Sequence, residues 1–306
     1  MKYTELRKSL KVSEIAFGCW KLDEQSDEKA VEIIKNALDN GINFFDNADI
    51  YGGGVSEKKF GQAWKALGCR REDIVIQSKA GIFMEENYYD FSREHILEAV
   101  DGSLKRLQTD YLDILLLHRP DTLFEPEEVA EAFNRLQQAG KVRWFGVSNQ
   151  NPTQIELLKK CVKQDLIVNQ LQFSVMHSGL VDSGLTVNND LDAAVVKDGG
   201  ILEYSRLHDM KLQAWSPFRY GFFEGIYVDN PKFPELNGKL KEIGSEQGVS
   251  ASAVAAAWIL RHPAFAQVIA GSMTPSRVTE ICKAVDVTLT KRQWYDIYKA
   301  AGKLVP

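Results

Sequence analysis

The chain predicts a (β/α)8 barrel, on three observations. Apolar runs rich in β-branched residues alternate with amphipathic helical stretches eight times. The runs are apolar on both parities, as strands must be when helices cover one side and a packed interior the other. No linker, low-complexity tract or break in composition divides the 306 residues, so residues 1–306 are expected to form a single domain. An N-terminal β-hairpin and an extra C-terminal helix complete the expectation.

In chain order, residues 3–6 and 11–17 read as short strands around the charged turn RKSLK, and the second runs into GCWKL. In DEKAVEIIKNALDNG, Ala30, Ile33, Ile34, Ala37 and Leu38 recur at helical spacing, and Asn40-Gly41 stops the helix. The apolar run Ile42–Phe45 ends on Asp46. Val55 or Ser56 opens a helix with Phe60, Ala63, Trp64 and Leu67 on one face; Gly68 closes it, and the run DIVIQSKAG ends on Lys79. Ser92 caps a helix carrying Ile96, Val100, Leu104 and Leu107, with cations in its last turn facing the helix dipole. YLDILLLHRPD then ends on His118.

EPEEVAEAFNRLQQAG starts with carboxylates and stops at glycine, which predicts a helix before the strand VRWFGVSN. Asn151-Pro152 opens the next helix, and LIVNQLQFS is a strand. Residues 176–200 are polar and rich in Gly and Asn, without a steady period, and read as mostly loop. Helix ILEYSRLHDM, strand KLQAWSPF, a long connection through RYGFFEGIYVDNP, helices across 233–261, strand QVIAGS and helix PSRVTEICKAV complete the alternation. The extra helix KRQWYDIYKAAG is expected against the outside or bottom of the barrel.

Charge and cysteine usage narrow the function. There are 37 basic against 42 acidic residues, a net charge of -5, and the two signs are interspersed. No basic stripe points to nucleic acid and no polybasic segment to an anionic membrane, so a small soluble substrate is the expected partner. Cys19, Cys69, Cys161 and Cys282 form no CxxC pair, which fits reduced thiols in a cytoplasmic protein better than a disulfide framework. MKYTELRKSLKVSE lacks the apolar core of a signal peptide, and no run of 18 apolar residues occurs. Oligomeric state is not legible.

The candidate site is Asp46, Tyr51, Lys79 and His118. Alone, each has an ordinary reading: a helix cap, a solvated lysine head, a packed histidine. Together they end three successive strands, and parallel barrels place chemistry at the C-terminal rim. A lysine after IVIQS and a histidine after six apolar residues in seven sit where charge is costly without a partner. If the groups converge, Lys79 pairs with Asp46 and donates toward the Tyr51 phenol. A nearby cation is expected to lower that phenol by roughly one to three units from about 10, making it a general acid near neutrality. A neutral His118 would orient a carbonyl oxygen toward Tyr51.

This set can protonate oxygen but contains no hydride, so a redox cofactor is required and nicotinamide is the natural candidate. Neither GxGxxG nor GxxxxGK[ST] is present, GGG at 52–54 having the wrong spacing, so a dinucleotide would bind in another way. His95, His118, His177, His208 and His262 form no HxH or HExxH pair, which argues against a metal-dependent hydrolase.

DNADIYG, SKAG, LLLHRPD, GVSN, NQLQFS, WSP and GSMTPSRVTE, in that order and spacing, resemble the aldo-keto reductase family over nearly the whole chain. FGVSN, WSP and HRPD resemble bacterial oxidoreductases of unassigned substrate more than the aldose reductase type. The resemblance implies a (β/α)8 barrel that binds NADPH and reduces aldehydes or ketones to alcohols, with Asp46, Tyr51, Lys79 and His118 as the catalytic tetrad. It also implies cofactor contacts. Gly18, Cys19 and Trp20 stand on the Asp46 rim; Ser148, Asn149 and Gln170 match the carboxamide holders, and Trp215 the aromatic that stacks on nicotinamide. Ser216, Pro217, Phe218 and Arg219 match the pyrophosphate loop, while Gly271, Ser272, Arg277 and Glu280 match the segment around the adenosine and its phosphate. Gly271 stands where many members have lysine, and Ile281 where many have asparagine. The family's fold also serves as a potassium-channel regulatory subunit, so a cofactor-holding sensor with little turnover is the alternative. Trp20, Phe83, Tyr88, Phe91 and residues 174–190 are the expected pocket for an apolar or aromatic substrate.

Overall fold

The computed structural model describes residues 1–222 and 224–306. Eight parallel strands close a barrel in chain order: β1 Ile15–Gly18, β2 Phe44–Asp46, β3 Val75–Ala80, β4 Leu112–Leu117, β5 Val142–Ser148, β6 Leu166–Gln172, β7 Lys211–Trp215 and β8 Phe265–Ala270. Closure is made where Val268 of β8 pairs with Ile15 of β1.

The two-residue pleat divides the core. Ala16, Phe44, Val75, Ile114, Leu116 and Val168 pack together inside the barrel, while Phe17, Phe45, Ile76, Leu115 and Leu117 pack outward under the helices. Continuing the inward parity to the strand ends carries it to Asp46, Lys79 and His118. The floor is closed by the hairpin Tyr3–Arg7 and Leu10–Ser13, whose Leu6, Leu10 and Val12 join the interior cluster. The expected strand 11–17 is therefore two elements with different partners: it breaks at Glu14, between the hairpin and the first barrel strand.

The outer layer is α1 (Asp27–Asp39), α2 (Val55–Ala66), α3 (Arg93–Leu107), α4 (Pro126–Gln138), α5 (Pro152–Lys159), α6 (Gly179–Leu185), α7 (Ile201–Leu207), α8 (Pro234–Gln247), α9 (Ala251–Leu260), α10 (Pro275–Cys282) and α11 (Lys291–Ala300). Side-chain caps start several of them: Ser26 and Ser92 accept from the backbone N–H three residues on, and Asn151 with Gln154 forms a capping box. The C-terminal helix α11 lies on the outer wall, as expected. Its Trp294 stacks on Trp258 of α9 at 4.6 Å, and each indole N–H donates to the other residue's carbonyl at 3.0 Å.

Two departures lie on the rim loops. Residues 176–200 are not mostly loop at their start, because α6 forms there. Its Asp182 accepts from Ser178 Oγ at 2.8 Å, from Tyr298 Oη at 2.8 Å and from Lys303 Nζ at 2.9 Å; two of these anchors come from the far end of the chain. The connection after β7 also contains a short antiparallel ladder, Arg219–Tyr220 with Gly225–Ile226.

Candidate active site

Asp46 and Lys79 end adjacent strands on the inward parity, and His118 follows β4 directly. Tyr51 reaches them from the β2–α2 loop, where Gly52, Gly53 and Gly54 hold φ of 56°, 61° and 90°. Three left-handed residues in a row turn the chain sharply into α2, and side chains other than glycine rarely adopt that conformation. Lys79 is fully buried. Its Nζ donates to Asp46 Oδ1 at 2.8 Å, to Asn47 O at 2.7 Å and to Tyr51 Oη at 3.0 Å, so all three ammonium protons have acceptors. The His118 ring meets the Tyr51 ring edge-on, centroids 5.9 Å apart. The four residues singled out in the sequence thus converge.

Their electrostatics follow from burial against charge. Burial alone would lower the Lys79 ammonium, but Asp46 and Tyr51 offset it and leave it above its ordinary value. Burial, then the fields of Lys79 and Arg119, hold the His118 imidazole well below its usual range, so it is neutral near pH 7. One expectation fails. Burial raises the Tyr51 phenol above its ordinary value, and Lys79 only opposes that rise; the hydroxyl stays protonated at neutral pH because desolvation outweighs the cation.

Of the residues behind the tetrad, Gln77, Gln213 and Gln267 were not singled out from sequence, and Gln170 was matched only to a carboxamide holder. Asp46 Oδ1 also accepts from Gln77 Nε2 at 2.7 Å and Gln170 Nε2 at 2.9 Å. Both amides also donate to Gln213 Oε1, at 3.0 and 3.2 Å. Gln213 donates in turn to Gln267 Oε1 at 2.7 Å, and Gln267 to Ser13 O at 2.8 Å. A polar chain therefore runs from the carboxylate to the barrel floor and fixes Asp46 with two neutral donors besides the ammonium. The signal was available: glutamine interrupts the apolar runs VIQSK, LIVNQLQ, KLQAW and FAQVIA.

The residues matched to a cofactor line the rim from β5 round to β1. Ser148 Oγ donates to Gln170 O at 2.9 Å, and Asn149, at φ 57°, donates to Ser148 Oγ at 2.7 Å and accepts from Trp215 Nε1 at 3.2 Å. A carboxamide would find hydroxyl and amide groups here, beside an indole whose ring is held by its own N–H. The 216–219 loop turns at Ser216 (φ 50°) and is pinned by Tyr227 Oη donating to Pro217 O at 3.0 Å, by Tyr227 N donating to Phe218 O at 3.0 Å and by Ser174 Oγ donating to Arg219 O at 2.8 Å. A Cβ on Gly271 would meet nothing nearer than Gly18 O at 4.0 Å, so the gap between the ends of β1 and β8 is open. Arg277 is exposed in the first turn of α10, and Ser272 precedes that helix. Glu280 is occupied by Lys283 at 2.8 Å.

Three assignments need correction. The Cys19 side chain is fully buried in the core outside the barrel, and burial pushes its thiol well up; only its backbone belongs to the rim. Ile281 packs into the same core, so its difference from asparagine does not face a ligand. Phe91 is core as well, lying under Gly81, where a Cβ would come within 2.4 Å of its ring, and so is no pocket wall. Trp20, by contrast, is 42% exposed, and Tyr88 is 45% exposed and stacked on Phe83 at 4.6 Å.

Asp49, on the loop between Asp46 and Tyr51, gives a pH prediction. Its Oδ1 is buried without a hydrogen-bond partner. Burial and then the buried Glu57 push the Asp49 carboxyl up to about 7, against the pull of Arg106, of a backbone hydrogen bond and of Lys79. With an unfolded value of about 3.9, the folded state binds the proton more tightly, so stability is fullest below pH 4 and falls as pH rises toward 7. Asp49→Asn removes this loss. It is expected to stabilise the protein by about 1–3 kcal/mol at pH 8 and by much less at pH 4; urea melts at the two pH values that show equal effects would refute the assignment.

The Aldo/keto reductase family profile matches residues 14–301. The chain is 36% identical over 312 residues to the uncharacterized oxidoreductase YcsN of Bacillus subtilis, covering 98% of each. It is 33% identical over 318 residues to the 6-dehydroglucose reductase of Agrobacterium fabrum, covering 100% of each. The crystal structure of a thermostable aldo-keto reductase, Tm1743, in complex with the inhibitor epalrestat superposes with a TM-score of 0.79 at 25% identity, over 98% of this chain and 100% of that one.

Proposed function

Because this chain belongs to the aldo/keto reductase family, we propose that it is an NADPH-dependent oxidoreductase that reduces aldehyde or ketone carbonyls to alcohols, with Tyr51 as proton donor. The observation that carries the reading is the buried Lys79 bonded at once to Asp46 and Tyr51. A reduced nicotinamide, when bound, supplies the hydride and both electrons to the carbonyl carbon. The chain's own groups do the rest. Neutral His118 and the Tyr51 hydroxyl hold the carbonyl oxygen, and the phenol gives its proton as negative charge develops there. Lys79 stabilises the resulting phenolate until solvent reprotonates it, and Asp46 with its glutamines keeps Lys79 charged. Ser148, Asn149 and Gln170 would hold the carboxamide, Trp215 would cover the nicotinamide ring, and the open gap at Gly271 leaves room beside Ser272 and Arg277. A regulatory module would need none of the tetrad chemistry, so its assembly favours turnover.

The cofactor assignment rests on Arg277, exposed and without an ion pair among the described residues, in the first turn of α10, where an anion is favoured. Gly271 adds no second cation. A charge-assisted hydrogen bond contributes roughly 1.5–3 kcal/mol, and tenfold in affinity needs about 1.4, so NADPH is expected to bind about ten to a few hundredfold more tightly than NADH. Arg277→Met should erase most of that ratio. The test pairs dissociation constants for both cofactors, at two salt concentrations, with NADPH consumption on aldehydes, ketones, quinones and 6-dehydroglucose. Equal affinities in the wild type would refute the cofactor choice; tight binding with no carbonyl consumed would favour the sensor.

A further inference from the structure

Arg119 is a half-buried cation that neither the fold nor the reaction above accounts for. It follows His118 directly at the end of β4, and its guanidinium carbon lies 5.5 Å from the centre of the Trp215 ring and 5.8 Å from that of Phe222. Among the described residues it makes no ion pair, and the charges that reach it are those of the Tyr89 and Tyr51 phenols. Two other shielded arginines of this chain are ion-paired: Arg71 with Asp113 at 2.7 Å and Arg106 with Glu57 at 2.8 Å. Burial draws the Arg119 guanidinium below its ordinary value, and its field reaches His118. A cation kept from water without a carboxylate is costly unless something else answers it.

We propose that Arg119 is an oxyanion subsite of the substrate pocket, so that this enzyme takes carbonyl compounds carrying a carboxylate or phosphate. The inference rests on the carbonyl-reductase reading and names its substrate class. A planar fork of donors suits either oxyanion bidentately, and its half-buried place beside two aromatic rings strengthens its pull on an anion relative to open water. The neighbouring position in sequence then sets the division of labour: His118 meets the carbonyl oxygen while Arg119 meets the anion of the same molecule.

The test compares pairs that differ in charge. kcat/KM is measured for glyoxylate, succinic semialdehyde and 4-carboxybenzaldehyde against their methyl esters, and for glyceraldehyde 3-phosphate against glyceraldehyde. Wild type, Arg119→Met and Arg119→Lys are compared. At one or more spacings the wild type should favour the anion, and Arg119→Met should lower the anion-to-neutral ratio by about 10–100-fold, chiefly through KM, with Arg119→Lys recovering part. The carboxylate and phosphate arms show which anion is taken. Independently of turnover, tryptophan fluorescence reports binding of succinate, 4-hydroxymethylbenzoate and glycerol 3-phosphate, which Arg119→Met should abolish. Should the wild type reduce no carbonyl, the reductase reading falls while the binding arm still decides Arg119. Reduction of the neutral partners with an unchanged ratio and unchanged anion binding in Arg119→Met would overturn the subsite and leave the reductase standing. A weaker NADPH affinity in Arg119→Met with the ratio intact would assign the guanidinium to the cofactor and equally overturn it.

Discussion

Tyr51→Phe is expected to lower carbonyl reduction by about 10²–10⁴-fold, the range of a lost general acid, with NADPH affinity little changed. The substitution removes one oxygen and keeps the ring that meets His118 edge-on. Lys79 loses one acceptor and retains Asp46 Oδ1 and Asn47 O, so the ammonium stays paired and the fold should lose only about 1 kcal/mol. Burial raises the phenol and Lys79 opposes it, so reduction by the wild type should hold its rate through neutral pH and decline only above the ordinary tyrosine range, as the donor deprotonates. Stopped-flow traces of NADPH oxidation, with cofactor titrations beside them, separate chemistry from binding. Near wild-type turnover in the Phe variant would sink the assignment of Tyr51 as donor.

What could be read from sequence was what depends on neighbours in sequence. An apolar run marks a strand, and an ionisable residue at its end marks the rim; Asp46, Lys79 and His118 obey that rule, and Tyr51 is carried to them by the glycine turn. What depended on distant partners stayed hidden. The segment that contains α6 has no steady apolar period, and the helix is held by Tyr298 and Lys303 through Asp182. The break at Glu14 is set by whether the strand pairs with the hairpin or with β8. Gln77, Gln213 and Gln267 look like faults in apolar strands until the barrel closes and links them from Asp46 to Ser13.

The shift of Tyr51 shows the same limit in electrostatics. From sequence, the lysine could be counted as a cation near the phenol, but the desolvation of both groups depends on the closed barrel. A pair of opposite effects needs the depth of the site before its sign is known. The same depth makes His118 neutral, where sequence had only the apolar run before it.

Lys79→Met should be at least as damaging to turnover as the tyrosine change, for a different reason that its pH dependence reveals. The ammonium is the cation that holds the Tyr51 phenol down against burial. Removing it raises the phenol further. Reduction needs the protonated phenol and oxidation of the alcohol needs phenolate, so the rise of the oxidation rate with pH must move to higher pH in the variant, by a factor of ten in rate at fixed pH for each unit. Loss of the ion pair also leaves Asp46 buried with only the Gln77 and Gln170 amides as donors, and an orphaned buried charge costs about 3–5 kcal/mol. A drop in activity alone could then reflect unfolding. Lys79→Met/Asp46→Asn separates the two: with no charge left to orphan, its thermal midpoint should recover toward wild type while carbonyl reduction remains at least about a hundredfold down. An oxidation profile in Lys79→Met that rises at the wild-type pH, or turnover restored along with stability in the double variant, would make Lys79 a structural residue and not part of the proton path.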